Sequence, residues 1–109
     1  MAPTKVSCRS ISSVSVNVNW MAPPLEGRHG IIQGYKVSYQ ILDQDNYPSY
    51  GQSQIKMVSD LETTLSGLVS WSNYSVTVLA FNKAGEGVPS EQIICQTDED
   101  GKFYFSFLL

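Results

Sequence analysis

The chain has one histidine, two cysteines and seven basic residues among its 109, and each scarcity removes a class of function. His29 stands alone between Arg28 and Gly30, with no second imidazole or cysteine cluster to complete a metal site, so it reads as a solvated loop residue. The many serines do not make a nucleophile either, because nothing beside them supplies an orienting acid or an oxyanion site. An enzyme, a cofactor, a metal and a small-molecule substrate are all unexpected. The basic residues stand singly at Lys5, Arg9, Arg28, Lys36, Lys56, Lys83 and Lys102. No stripe of them could follow a phosphate backbone, so nucleic acid is not an expected partner. No apolar run approaches the roughly 20 residues that cross a bilayer, so the module itself is not expected to insert in a membrane. The N-terminus lacks the charged, apolar and small-residue zones of a signal peptide. Met1 before Ala2-Pro3-Thr4 reads as an added start, and the chain as a module cut from a longer protein.

What is present favours pleated sheet. Hydrophobic residues make up 42% of the chain, enough for one core at this length, and Ser, Val, Thr, Tyr and Ile are abundant, residues that suit strands better than helices. "SVSVNVNW" (13–20) alternates strictly, placing Val14, Val16, Val18 and Trp20 on one face. "MAPPLEGRHG" breaks the alternation, and "YKVSYQI" resumes it with Tyr35, Val37, Tyr39 and Ile41 on one side. "SQIKMV" predicts a short strand with Ile55 and Met57 inward, "TTLSGL" one around Leu65, and "NYSVTVLAFN" the longest strand, with Tyr74, Val76, Val78 and Ala80 in phase. "KAGEG" is a glycine turn, "VPSEQIICQT" a closing strand, and "TKVSC" an edge strand blunted by Pro3. Seven short strands with turn signals between them and no helical period describe an all-β, two-sheet antiparallel sandwich.

These residues resemble a fibronectin type III domain. The resemblance rests on Trp20 ending the second strand before "PP" and "GIIQGYKVSY", on "LSGL" with Tyr74 six residues after Leu68, on "VTVLAFNKAGEG" and on the closing "QTDED". It covers about residues 3 to 100, so the domain is expected over 1–100, with 101–109 a tail outside the family pattern. Within the family, "VSC", "PPLEGRHGIIQGY", a tryptophan three residues before the tyrosine and "TDED" resemble the domains of Dscam-type adhesion molecules, with Sidekick-type molecules next. Those are neuronal transmembrane proteins of the immunoglobulin superfamily that bind their own kind. The resemblance implies an extracellular spacer and protein-interaction module of a single-pass cell-surface receptor, whose partners are neighbouring domains and a homophilic partner. Two other contexts stay open: an accessory domain of a receptor tyrosine phosphatase, and an intracellular module of the giant muscle-protein type.

The same family pattern sorts the remaining motifs. "WSNYS" (71–75) looks like the W-S-x-W-S box of cytokine receptors, but that box follows the sixth strand, whereas this one begins it. Tyr74 instead takes the place of the tyrosine corner, whose ring enters the core while its hydroxyl bonds to backbone near Leu68. Trp20, Tyr35, Val37, Leu68, Tyr74 and Val76 are the expected core. Leu79 and Phe81, out of phase with the inward set, are either half covered by neighbouring strands or a partner surface. Trp71 is expected as a lid over one end of the core, with an interdomain contact as the alternative. Cys8 and Cys95, in the first and last strands, either form a disulfide or remain two small buried hydrophobes. Asn73-Tyr74-Ser75 is a glycosylation sequon, and if Tyr74 points inward Asn73 must point out. Asp98-Glu99-Asp100 lacks the asparagine motifs of an interdomain calcium site and reads as a solvated linker. Neither Arg28-His29-Gly30 nor "NKAGEG" is an Arg-Gly-Asp sequence. The tail "GKFYFSFLL" is a splice-variant ending, a cloning scar or a strand for a neighbouring copy.

Overall fold

A computed structural model describes residues 1–24, 30–48 and 53–100. The strands are β1 (Thr4–Ser12), β2 (Ser15–Met21), β3 (Gly34–Ile41), β4 (Gln54–Val58), β5 (Glu62–Leu65), β6 (Asn73–Asn82), β7 (Gly85–Glu86) and β8 (Ile93–Gln96). They form two antiparallel sheets, β1-β2-β5 and β4-β3-β6-β7 with β8 also paired to β6. The all-β sandwich expected from the alternating strands is the observed architecture. Eight strands replace seven because Gly85–Glu86, in the segment expected as a glycine turn, pairs with Phe81 and Asn82 as β7. Pro89 has no N–H to donate to a ladder, and pairing with β6 is carried past it by Gly87 N–H to Ala80 C=O at 2.8 Å and Ser90 N–H to Val78 C=O at 2.8 Å. The Ser90 hydroxyl in turn accepts from Val78 N–H at 2.9 Å.

The core lies where the alternating faces of β2, β3 and β6 meet. Trp20, Tyr35, Val37, Leu68, Tyr74 and Val76 are each no more than 7% exposed and belong to one cluster with Val16, Val18, Leu65, Val78, Ala80 and Cys95. The Trp20 and Tyr35 rings meet edge to face with centroids 5.4 Å apart, the arrangement favoured by their quadrupoles.

Three expectations of inward direction are corrected. Val14 is 46% exposed because it lies in the turn between β1 and β2, where the Ser12 and Ser15 hydroxyls bond to each other and the strand phase has not begun. Ile55 and Met57 face outward, 61% and 64% exposed. The register pairs Met57 with Lys36 and Ile55 with Ser38, on the outer side of β3. The inward position between them belongs to Lys56, whose Nζ donates to Thr64 C=O at 2.8 Å across the gap to β5. An inward-pointing charge of this kind protects a sheet edge from pairing with another chain.

Candidate interaction surface and covalent sites

The outer face of the five-stranded sheet holds one of the expected surfaces. Alternation along β6 sends Asn73, Ser75, Thr77, Leu79 and Phe81 away from the core, and all five are half-buried. Phe81 lies opposite Gly34, and a Cβ added there would meet the Phe81 ring at 2.8 Å, so the absent side chain is what lets the ring lie flat on the sheet. Lys36 Nζ sits 5.7 Å from the Phe81 ring centre and forms an ion pair with Glu86. Leu79 is the cross-strand neighbour of Lys36, and Lys36 of Met57. A cation held over an aromatic ring therefore lies between apolar side chains, with Ile55, Met57 and Ile94 exposed farther out.

The end of the sandwich at which β8 leaves is built differently. Tyr74 points into the core and its hydroxyl accepts from Val69 N–H at 2.8 Å. Thr97, 1% exposed, donates its hydroxyl to Val69 C=O at 2.8 Å and accepts from Ser72 N–H at 3.0 Å. These bonds lock the connection between β5 and β6 onto the closing strand. Trp71 in that connection has φ of 49°, a conformation that costs a side-chain-bearing residue roughly 1–2 kcal/mol, and its N–H donates to Asp98 C=O at 3.0 Å. The expected lid is corrected here. The locked backbone turns the indole outward, 61% exposed.

Cys8 and Cys95 form a disulfide with Cα atoms 6.1 Å apart, joining β1 of one sheet to β8 of the other. Asn73, the first residue of β6, lies on the outward face; its amide nitrogen donates to Asn46 Oδ1 at 3.2 Å and its carbonyl accepts from Leu42 N–H at 2.8 Å.

Among the described residues, a depression of about 340 Å³ lined by Pro23, Ile32, Phe81, Glu86 and Gly87 among others offers one titratable side chain, Glu86, already paired with Lys36. Among the described residues no three acidic, cysteine or histidine side chains gather as metal ligands, Asp98 included, and no helix is long and apolar enough to cross a membrane. Arg28, His29 and the tail 101–109 lie outside the described residues.

The family model of the fibronectin type III domain matches residues 1–96. Dscam2, a cell adhesion molecule of Drosophila melanogaster, is 36% identical over 98 residues, covering 90% of this chain and 5% of that protein. The human receptor-type tyrosine-protein phosphatase F is 35% identical over 100 residues, again 90% of this chain and 5% of that protein. The chain thus spans about one-twentieth of the length of these relatives. Among solved structures, the third fibronectin III domain of the human KIAA0343 protein superposes with a TM-score of 0.79 at 27% identity, covering 91% of this chain and 82% of that one. The two sheets, the Tyr74 hydroxyl on the Val69 backbone and the family match lead to one conclusion: the chain belongs to the fibronectin type III family, and within it is similar to the domains of Dscam-type adhesion molecules.

Proposed function

We propose that the chain is an extracellular spacer and protein-interaction module of a single-pass cell-surface adhesion receptor, acting in neuronal cell contact. The observation that carries this reading is the Cys8–Cys95 bridge between the sheets. Disulfides persist where the surroundings are oxidising and are rare in the cytosol, so the bridge favours the outside of the cell over an intracellular muscle-type array. The 36% identity to Dscam2 supports adhesion in particular. The domain occupies residues 1–100, no catalysis is performed, and no cofactor or small molecule is bound. It holds neighbouring domains at a set distance and presents the Leu79–Phe81 face to a protein partner, a homophilic one in the adhesion reading. The 35% identity to a receptor phosphatase favours a second reading, in which the same module is accessory to an enzyme domain elsewhere in the chain.

The deciding experiment places an epitope tag in the Ala84-Gly85 turn of the parent protein and expresses it in animal cells. Antibody binding to intact cells, with impermeant biotin labelling the same polypeptide, is the expected result. A tag reached only after permeabilisation would overturn the extracellular reading.

A further inference from the structure

The end of the sandwich that carries Trp71 also carries Ile11, Val14 and Val69, which are 50%, 46% and 55% exposed. These four side chains belong to backbone segments that bond to one another. Ser12 C=O accepts from Asp98 N–H at 3.1 Å, Val14 C=O accepts from Leu68 N–H at 2.9 Å, and Asp98 C=O accepts from Trp71 N–H at 3.0 Å. A bulky residue held at φ of 49° with its ring in water is an observed strain, and strain of this kind persists where surrounding bonds impose it and clusters at sites with a use. Solvent alone gives no reason to gather an exposed indole and three other exposed apolar side chains at one end of the sandwich.

We propose that this apolar pole is the docking site of the chain's own C-terminal segment, Phe103–Leu109. Asp98 is pinned between the two loops that bear the patch, so the segment starts beside it. Residues 99–102 span at most about 14 Å when extended, which keeps Phe103 within reach of Trp71 and Ile11. Six of the seven residues from 103 to 109 are aromatic or aliphatic, with Ser106 between them and no charge. A tether this short holds the segment near the patch at an effective concentration on the order of millimolar, so an intramolecular contact forms ahead of any contact between copies. Phe103, Phe105 and Phe107 are the aromatic residues at alternate positions of the segment.

The test uses the full chain and a variant carrying Phe103→Ser, Phe105→Ser and Phe107→Ser. Trp20 is shielded in the core, so acrylamide quenching of tryptophan fluorescence reports Trp71, an assignment checked with Trp71→Phe. Docking predicts that quenching of Trp71 is roughly threefold weaker in the parent chain than in the triple variant, since an indole buries a large area when covered, and that the difference is the same at low and high protein concentration. Equal quenching in the two chains overturns the proposal, as does protection that appears only when sedimentation shows dimers. The reciprocal change is Trp71→Gly, which suits the backbone and removes the ring. It is expected to speed amide exchange of residues 103–109 severalfold while the β3 and β6 amides are unchanged; unaltered tail exchange also overturns it.

Discussion

The Val69 N–H donates to the Tyr74 hydroxyl at 2.8 Å, a bond between residues five apart that ties the loop before β6 to a ring inside the core. Tyr74 is 6% exposed while Val69 is 55% exposed, so the bond is part-buried and water can replace it only in part. Tyr74→Phe keeps the ring and leaves the Val69 N–H unpaired, a cost of about 1–3 kcal/mol. For a domain of this size each kcal/mol lowers the melting point by roughly 4–8 °C. Calorimetry on the single variant checks this; an unchanged melting point would mean that the loop finds another acceptor.

At Trp20 the ring contributes through its volume more than through its polar atom. Its Nε1 is buried with no hydrogen-bond partner among the described residues. Trp20→Ala opens a cavity against Tyr35 and Val37 and is expected to cost about 3–5 kcal/mol. Trp20→Phe gives up part of the ring but also removes the unpaired donor, so its loss should be well under half of that. Chemical denaturation of both variants tests the ranking, and equal losses would contradict it.

The strands that were legible in advance are those with apolar residues on the buried face and mostly polar ones on the other. Along β2 and β6 the period of two separates Val16, Val18 and Trp20, or Tyr74, Val76 and Val78, from polar neighbours, and only one register buries them all. β4 offers no such contrast. Its inward residues are Gln54, Lys56 and Val58, its outward ones Ile55 and Met57. An edge strand with one neighbour is not obliged to bury its apolar side, so the reading by hydrophobicity reversed it. Val14 failed for a related reason: the alternation extends into a turn in the sequence, although the chain reverses there. The exposure of Trp71 depends on its backbone dihedral and on the bonds to Asp98 and from Ser72 to Thr97, which link positions about 25 residues apart and leave no local pattern.

The disulfide closes almost the whole domain, joining residues 87 apart in sequence. In the chain-entropy account a loop of that length stabilises the fold by about 4–5 kcal/mol. Cys8→Ser with Cys95→Ser should therefore lower the urea midpoint sharply while leaving the strand content of the folded state unchanged. The parent chain under non-reducing conditions should resist alkylation at both sulfurs. Rapid labelling of both in the native-source protein would show that the bridge is not formed there.

Asn73 is expected to carry an N-linked glycan when the parent protein passes through the secretory pathway. The sequon Asn73-Tyr74-Ser75 opens β6, and because Tyr74 turns inward, Asn73 lies on the outer face, half-buried, with its amide nitrogen engaged only by Asn46 Oδ1 at 3.2 Å among the described residues. That contact is a single neutral hydrogen bond at the surface, worth about 1 kcal/mol or less, and the amide keeps one hydrogen after the sugar is attached. Asn46 itself sits at φ of 62° in the turn after Leu42, so the glycan would stand beside that turn and away from the Leu79–Phe81 end of the strand. Asn73→Gln should remove one glycan's mass and leave the melting point within about 1 kcal/mol of stability, as surface changes do. Peptide mapping with and without glycosidase, on the ectodomain made in animal cells, provides the measurement. Full recovery of an unmodified Asn73 peptide would refute the site.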